Sequence, residues 1–572
     1  MSAAARTGLL LAPVLAFLGI FFIGPVAGFL GQAATDREGA LSLAPLLRLA
    51  GETIYLEITW ISIKIAFWVA VLSVLLGYPV AYVLAGADPA KRSTWMLFVL
   101  LPFWSSFLVR TFAWIVILGR QGPLNGLLLA AGLAERPQEL LYSFGAVTAA
   151  MCNVLVPFAI LTMLGVMESI DRSLVRAAGT LGARPVQAFF RVYLPLSMPG
   201  VAAAFLLVFI TGLGFFMAPV LLGSARETMI TQMIIQQVLE LVNWPFAAAL
   251  CAVLLAAALV LFFVYDRVAG LSVLTGETGT REGGAAARWA QRLANAAGDA
   301  LAGLAALVPL RARAGPSRAV RVAAAAIILF LVVPLVLLVP VSFADQNYVV
   351  WPPAGFTLKW YEEAVSSPAW TGAALRSFAV ALLTACACFA VALPAAFAFR
   401  ALRPRAARGM FGLLLAPLIV PRLVIATALF WLFARVGLVG TTLGLVIGHT
   451  VIALPFVFIT ILAVMKTYDR RLDLAAASLG ASPFRTVVRV TLPLIGTGLV
   501  SAFLFACIIS LDELNVALFA SGGLTATLPK LMWDEATLRF SPLLAAVSTF
   551  VLAIMSALAL AAVMLSNRSQ GR

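Results

Sequence analysis

Apolar residues in this chain come in runs of about twenty or more, separated by short polar segments. A run of that length crosses the ~30 Å hydrocarbon core as a helix rising about 1.5 Å per residue. Such runs fall near 8–32, 54–85, 94–118, 142–167, 197–222 and 245–266, and again near 322–343, 373–399, 409–434, 444–465, 496–520 and 541–565. The pattern predicts an all-α polytopic membrane protein of two tandem six-helix units. The first covers 1–266, a linker covers 267–321, and the second covers 322–572. The N-terminal run follows a single arginine, Arg6, without a clear cleavage site, and reads as a retained first helix.

One polar stretch occurs twice between apolar runs. Residues 176–195 read RAAGTLGARPVQAFFRVYLP, and residues 474–493 read LAAASLGASPFRTVVRVTLP. At a constant offset of 298, Ala177 and Ala178 fall on Ala475 and Ala476, and Gly182 on Gly480. Val192 falls on Val490, Leu194 on Leu492, Pro195 on Pro493, and Arg176 on Leu474. Over 165–200 against 463–498, 17 of 36 positions are identical. Pro157 and Pro455 extend this register, while Pro79 matches Pro394 and Pro102 matches Pro417 at an offset of 315. The halves are therefore repeats of one unit. An even number of spans per unit makes both enter from the same side, related by an axis along the membrane normal.

The local physics of the repeated stretch is legible. Alanines ahead of the glycine favour helix, and Gly182 and Gly480 permit a sharp turn. Pro185 and Pro483 suit the first turn of a second short helix, which Pro195 and Pro493 are expected to end. Phe189, Phe190 and Val192 form its apolar side in one copy, and Phe484, Val487 and Val488 in the other. Physics alone also suits a helix lying on the membrane surface. The spacing A-A-x-x-x-G, then nine residues, a β-branched residue, one more, and L-P resembles the EAA loop of binding-protein-dependent ABC importer permeases. That resemblance implies two type I importer transmembrane domains with coupling loops at 168–196 and 466–495. It also implies two copies of a cytoplasmic ABC ATPase docked on those loops, and a periplasmic substrate-binding protein. ATP and Mg are then used by the partner, with no cofactor in this chain. The family's leading glutamate is replaced by Arg176 and Leu474.

The likeness extends further. LPFWSSFLVRTFAWIVIL and GFFMAPVLLGSARETMI resemble the first permease of a spermidine/putrescine importer. LFARVGLVGTTLGLVIGHTVIALPFV, SLDELNVALFASGGLTATLPKLMW and SPLLAAVSTF resemble the second. The chain is similar to a fusion of the two, which implies import of a polyamine or related small organic cation across a bacterial cytoplasmic membrane. Relatives in the same family take iron(III), thiamine, phosphonates or opine-like compounds.

Charge sets the orientation. The chain is 63% apolar and 11% charged, with a formal net charge of +15. With the N-terminus inside, inner segments hold 26 of the 39 Lys and Arg residues, outer loops 9 and apolar runs 4. The positive-inside bias places both repeated loops and both termini in the cytoplasm. It also accounts for the basicity without nucleic acid as a partner. The Arg-rich linker carries Trp289, Leu293, Ala297, Leu301 and Leu304 at helical spacing, which suits either an interfacial helix or a tether.

Chemistry of catalysis is absent from the pattern. None of the five lysines follows a glycine, so there is no GxxxxGK[ST] phosphate loop and no ATPase activity is expected. No catalytic triad, paired-cysteine metal site or dinucleotide motif appears. Cys152, Cys251, Cys386, Cys388 and Cys507 lie in apolar runs as small fillers, and His449 reads as a packed polar residue between helices.

Intramembrane charges are the candidates for the pathway, since each costs roughly 2.5–3.5 kcal/mol at mid-bilayer on insertion scales. Asp512 and Glu513 fall in the eleventh run, opposite Gly214 and Phe215 of the first half. A carboxylate in one half facing aromatics in the other suits an elongated organic cation. Arg110 reaches a similar depth and either pairs with Asp512 or Glu513 or lines the path. Trp104, Trp114, Phe215 and Phe216 either line it or pack. Lys64 and Arg376 lie near helix ends and snorkel, whereas Arg422 is deep and without an assigned role. A secondary transporter is the rival class, and it needs midplane carboxylates in both halves.

Overall fold

The computed structural model describes residues 3–183, 185–269, 317–349, 351–466, 468–539 and 541–570. The helix expected over 289–304 lies outside them. Eleven described helices are long and apolar enough to cross a membrane. In the first half these are Thr7–Ala34, Thr53–Gly86, Phe107–Ala130, Phe144–Ser169, Val186–Leu213 and Trp244–Tyr265. In the second they are Arg318–Ser342, Pro368–Phe399, Thr442–Lys466, Pro483–Leu511 and Pro542–Ala561. Pro404–Ile419 and Arg422–Val436, bent by 92°, supply the twelfth.

The third span of each half is broken, where the apolar pattern predicts one continuous run. In the first half Pro89–Trp104 stops before Phe107–Leu118, and Ser105 and Ser106 between them are extended. Ser105 Oγ donates to the Pro102 carbonyl at 2.6 Å, a local bond that competes with the helix. In the second half Val420 and Pro421 are extended. A residue preceding proline is driven out of the helical region, which explains Val420.

Contacts at the span ends fix the direction of travel. Arg92 pairs with Glu168, and Arg172 donates to the Ala85 carbonyl, so the ends of Thr53–Gly86 and Phe144–Ser169 meet the start of Pro89–Trp104 at one face. At the opposite face Lys64 lies 5.3 Å from the Phe144 ring. The second half repeats this: Arg400 lies 5.7 Å from the Tyr468 ring at the loop face, and the Gly440 amide donates to the Ala520 carbonyl at the other. Trp244 and Phe430, 5.4 Å apart, join the loop-distal ends of the two halves. Both repeated loops therefore emerge on one face, as a parallel repeat requires.

The halves interlock. The N-terminal helix packs on Pro368–Phe399, and its counterpart Arg318–Ser342 packs on Thr53–Gly86. Asn153 Nδ2 donates to the Phe330 carbonyl at 2.8 Å across this seam. Gly28 meets Trp431 so closely that an added Cβ would lie 2.8 Å from the indole. Within each half, one serine secures a short helix beyond the fifth span. Ser62 Oγ accepts from the Ile230 amide at 2.8 Å, and Ser377 Oγ from the Leu528 amide at 2.7 Å. Leu15, Ile20, Trp60, Leu75, Phe263, Leu329, Leu375 and Leu382 remain exposed on the bundle's outside, where lipid rather than protein must cover them.

Candidate coupling loops and translocation cavity

The two repeated loops share their backbone turn. Asp171 caps helix Arg172–Thr180 by accepting from the Ser173 amide at 2.8 Å, and Asp469 does the same for the Arg471 amide at 2.9 Å. Two hydrogen bonds from Ser173 hold the Asp171 carboxyl below its ordinary value. Each helix then ends on a left-handed glycine, Gly182 at φ 87° and Gly480 at φ 79°. The Ala183 amide bonds the Ala178 carbonyl, and the Ala481 amide bonds the Ala476 carbonyl, both at 3.0 Å. The Leu181 and Leu479 amides bond the Ala177 and Ala475 carbonyls. This is the glycine-ended helix cap, and it needs a residue without a Cβ penalty at positive φ.

The stop expected at Pro195 and Pro493 is absent. Helices Pro185–Ala188 and Pro483–Thr486 run through single π-turns, Phe189–Tyr193 and Val487–Thr491, directly into Leu194–Leu213 and Leu492–Leu511. The Leu194 amide reaches Phe189, and the Leu492 amide reaches Val487, five residues back. A proline lacks the next amide and clashes with the carbonyl four residues earlier, and the wider π-turn accommodates both defects. Val192, Leu194, Val490 and Leu492 are half-buried along this rod.

Each loop presents an apolar face to solvent. Leu181 and Leu479 are both 88% exposed, with Leu174 and Leu472 exposed beside them. Arg176 and Leu474 are exposed at the position of the family's glutamate. Beneath, the loops rest on different chemistry. Phe189 and Tyr193 pack edge to face against Tyr82 in the first half. In the second, Tyr468 and Thr491 both donate to Asp473 Oδ1, at 2.6 and 3.1 Å.

Between the halves lies a cavity of about 50 Å³. Six aromatics line it: Phe103, Trp104, Phe107 and Phe158 from the first half, and Phe456 and Phe505 from the second. Asp512 and Arg422 supply its charges. Of the residues picked from sequence, Trp104 and Asp512 line this space. Phe215 lies behind Phe107, with ring centroids 6.0 Å apart. Trp114 packs on Phe330, and Phe216 on Trp533, so neither is part of the lining. Two of the lining phenylalanines carry a sequence signal, since Phe158 and Phe456 are related by the same 298 offset as the loops.

Asp512 and Glu513 do not sit within a helix as expected: the fifth span ends at Leu511. Asp512 Oδ1 instead crosses to the other half and accepts from the Phe107 amide at 3.1 Å. Glu513, 1% exposed, places Oε2 3.7 Å from Arg422 Nη1 and accepts from the Val516 amide through Oε1. Arg110 pairs with neither acid. Its buried guanidinium donates to the carbonyls of Asn153, Val154 and Ser105 at 3.2–3.3 Å. Pro157 leaves the Asn153 carbonyl without its helical donor, and the break leaves Ser105 likewise, so the arginine fills vacancies that two helix defects create. His449 is packed between helices as expected, with Nδ1 2.7 Å from Ser510 Oγ.

The family described as binding-protein-dependent transport system inner membrane component matches the chain twice, over 65–270 and 389–570. The spermidine/putrescine transport system permease protein PotB of Haemophilus influenzae is 36% identical over 214 residues, covering 37% of this chain and 75% of that protein. PotB of Escherichia coli K12 is 29% identical over 263 residues, covering 45% of this chain and 96% of its own length. The E. coli putrescine transport system permease protein PotI is 31% identical over 234 residues, covering 39% and 82%. A single relative thus accounts for less than half of this chain, as a fusion of two permease units requires. The chain belongs to the binding-protein-dependent transport system inner membrane components, the permeases of ABC importers, and carries that unit twice.

Proposed function

We propose that this permease forms the complete membrane path of an importer for small organic cations of the polyamine type. A separate binding protein delivers the cargo on the outer side, and two copies of a cytoplasmic ATPase grip the loops around Gly182 and Gly480. Both loops and both termini face the cytoplasm in this reading, in line with the positive-inside distribution of Lys and Arg. The cavity between the halves carries the cargo assignment. Six aromatic rings and the Asp512 carboxylate suit an alkylammonium, which rings attract by cation–π contact and a carboxylate by charge. The relatives named for spermidine and putrescine support the same class.

The test is uptake of labelled putrescine and spermidine into vesicles holding the full chain, its ATPase and its binding protein. Uptake that requires ATP and persists when the proton gradient is collapsed supports the reading. Uptake driven by the gradient without the ATPase contradicts it, and ATP-driven uptake of an anion or a metal chelate but no amine refutes the cargo class.

A further inference from the structure

Arg422 occupies an unusual place. It is the first residue of Arg422–Val436, so its cation stands at a helix N-terminus, where the helix dipole opposes positive charge. What favours it there is Glu513, whose Oε2 lies 3.7 Å from Nη1. That carboxylate is 1% exposed, and Oε2 has no hydrogen-bond partner among the described residues. A buried carboxylate oxygen without a donor is costly to maintain, so the pair is held by charge but left open to a better donor. Arg422 lines the inter-half cavity and Glu513 does not, so the guanidinium covers the carboxylate from the cavity side. The repeat shows that this corner of the fold does not require ions. At offsets of 315 and 298, Arg422 and Glu513 correspond to Phe107 and Phe215, which pack ring to ring with centroids 6.0 Å apart. Arg422 is also 28% exposed and adjoins the 92° break, which leaves its side chain room to move.

We propose that Arg422 is a tethered stand-in for the cargo. In the resting gate its guanidinium occupies the Glu513 carboxylate. A primary or secondary ammonium entering the aromatic cavity replaces it by donating N–H to Oε2. The site therefore selects amines that carry N–H donors over quaternary ammonium ions of equal charge. This rests on the cation-importer reading above and adds the residue that keeps the site occupied when cargo is absent.

The experiment is equilibrium binding of labelled putrescine to the full chain assembled with its ATPase in lipid nanodiscs. An intramolecular competitor lowers apparent affinity by the fraction of time it holds the site, so Arg422→Gln is expected to tighten putrescine binding by about fivefold. The gain is expected to vanish in the Arg422→Gln/Glu513→Gln double variant. Arg422→Lys, which keeps a cation, is expected to bind as wild type does, and hexamethylated putrescine is expected to gain nothing from Arg422→Gln. A measurement on the unaltered protein stands beside these: putrescine should speed labelling of Arg422 by phenylglyoxal, read by mass spectrometry. If the wild type binds putrescine but Arg422→Gln binds no tighter, or Arg422 labelling is unchanged by putrescine, the stand-in role is overturned while the cation reading survives. If neither putrescine nor spermidine binds any form, the cation reading falls and takes the stand-in with it.

Discussion

The carboxylate of Asp512, at the end of the fifth span of one half, accepts a hydrogen bond from the amide of Phe107, at the start of a helix in the other, at 3.1 Å. The reciprocal position is Gly214, where an added Cβ would lie 3.6 Å from the Arg422 amide. One half thus caps its partner's broken helix with a side chain, and the other approaches by backbone alone. Side-chain caps are worth about 1 kcal/mol, more with a charge at the positive helix end. Asp512→Ala is expected to lower the thermal midpoint of the purified chain and to reduce cation uptake. Asp512→Asn keeps the cap and is expected to restore the midpoint but not the uptake. Full uptake by Asp512→Asn would assign this carboxylate to structure alone.

Gly182 and Gly480 have open space around them, so an added Cβ there meets no neighbour within 4 Å. Its strain comes from the left-handed backbone, about 1–2 kcal/mol for a residue with a Cβ. Gly182→Val and Gly480→Val are therefore expected to leave the chain folded and inserted while distorting the exposed leucine face. The measurement is the ratio of amine imported to ATP hydrolysed, which should fall severalfold in either variant. An unchanged ratio in both removes the docking assignment.

Arg110 satisfies three carbonyls and forms no ion pair with a carboxylate among the described residues. Arg110→Met leaves those carbonyls bare, and each unsatisfied buried group costs about 1–3 kcal/mol. A large loss of thermal stability is expected, with Arg110→Lys intermediate because it offers fewer donors in a different geometry. Loss of transport with wild-type stability in Arg110→Met would place this residue on the path instead.

The repeated loops were legible in the sequence because two copies at one offset expose what the geometry holds constant. Asp171 and Asp469, Gly182 and Gly480, and Pro195 and Pro493 each do the same thing twice. The continuation of the helix through Pro195 was not legible, because proline reads as a stop unless the preceding turn is known to widen. The partners of the buried charges were hidden too. Sequence depth set Arg110 level with Asp512, but helix breaks at Ser105 and Leu511 redirected both, one to carbonyls and the other across the seam. Arg422 found its partner only once the third and fifth spans of its own half were packed together.

Ser62 and Ser377 hold corresponding amides, those of Ile230 and Leu528, at nearly equal distances. Ser62→Ala and Ser377→Ala should each destabilise by about 1 kcal/mol. The two serines hold different amides in different halves, so the double variant should lose the sum of the two. Unequal single effects would show that the halves differ in stability despite their shared geometry.

Two exposed residues offer the most direct test of whether this gate is worked from one side by a motor it lacks. In a chain with its five native cysteines replaced by alanine, Leu181→Cys and Leu479→Cys are introduced singly and the full assembly is treated with a short cross-linker. Each cysteine is expected to join to an ATPase subunit and to escape an impermeant maleimide added outside. Labelling of either from outside, or cross-linking of neither, would contradict the two-handled gate.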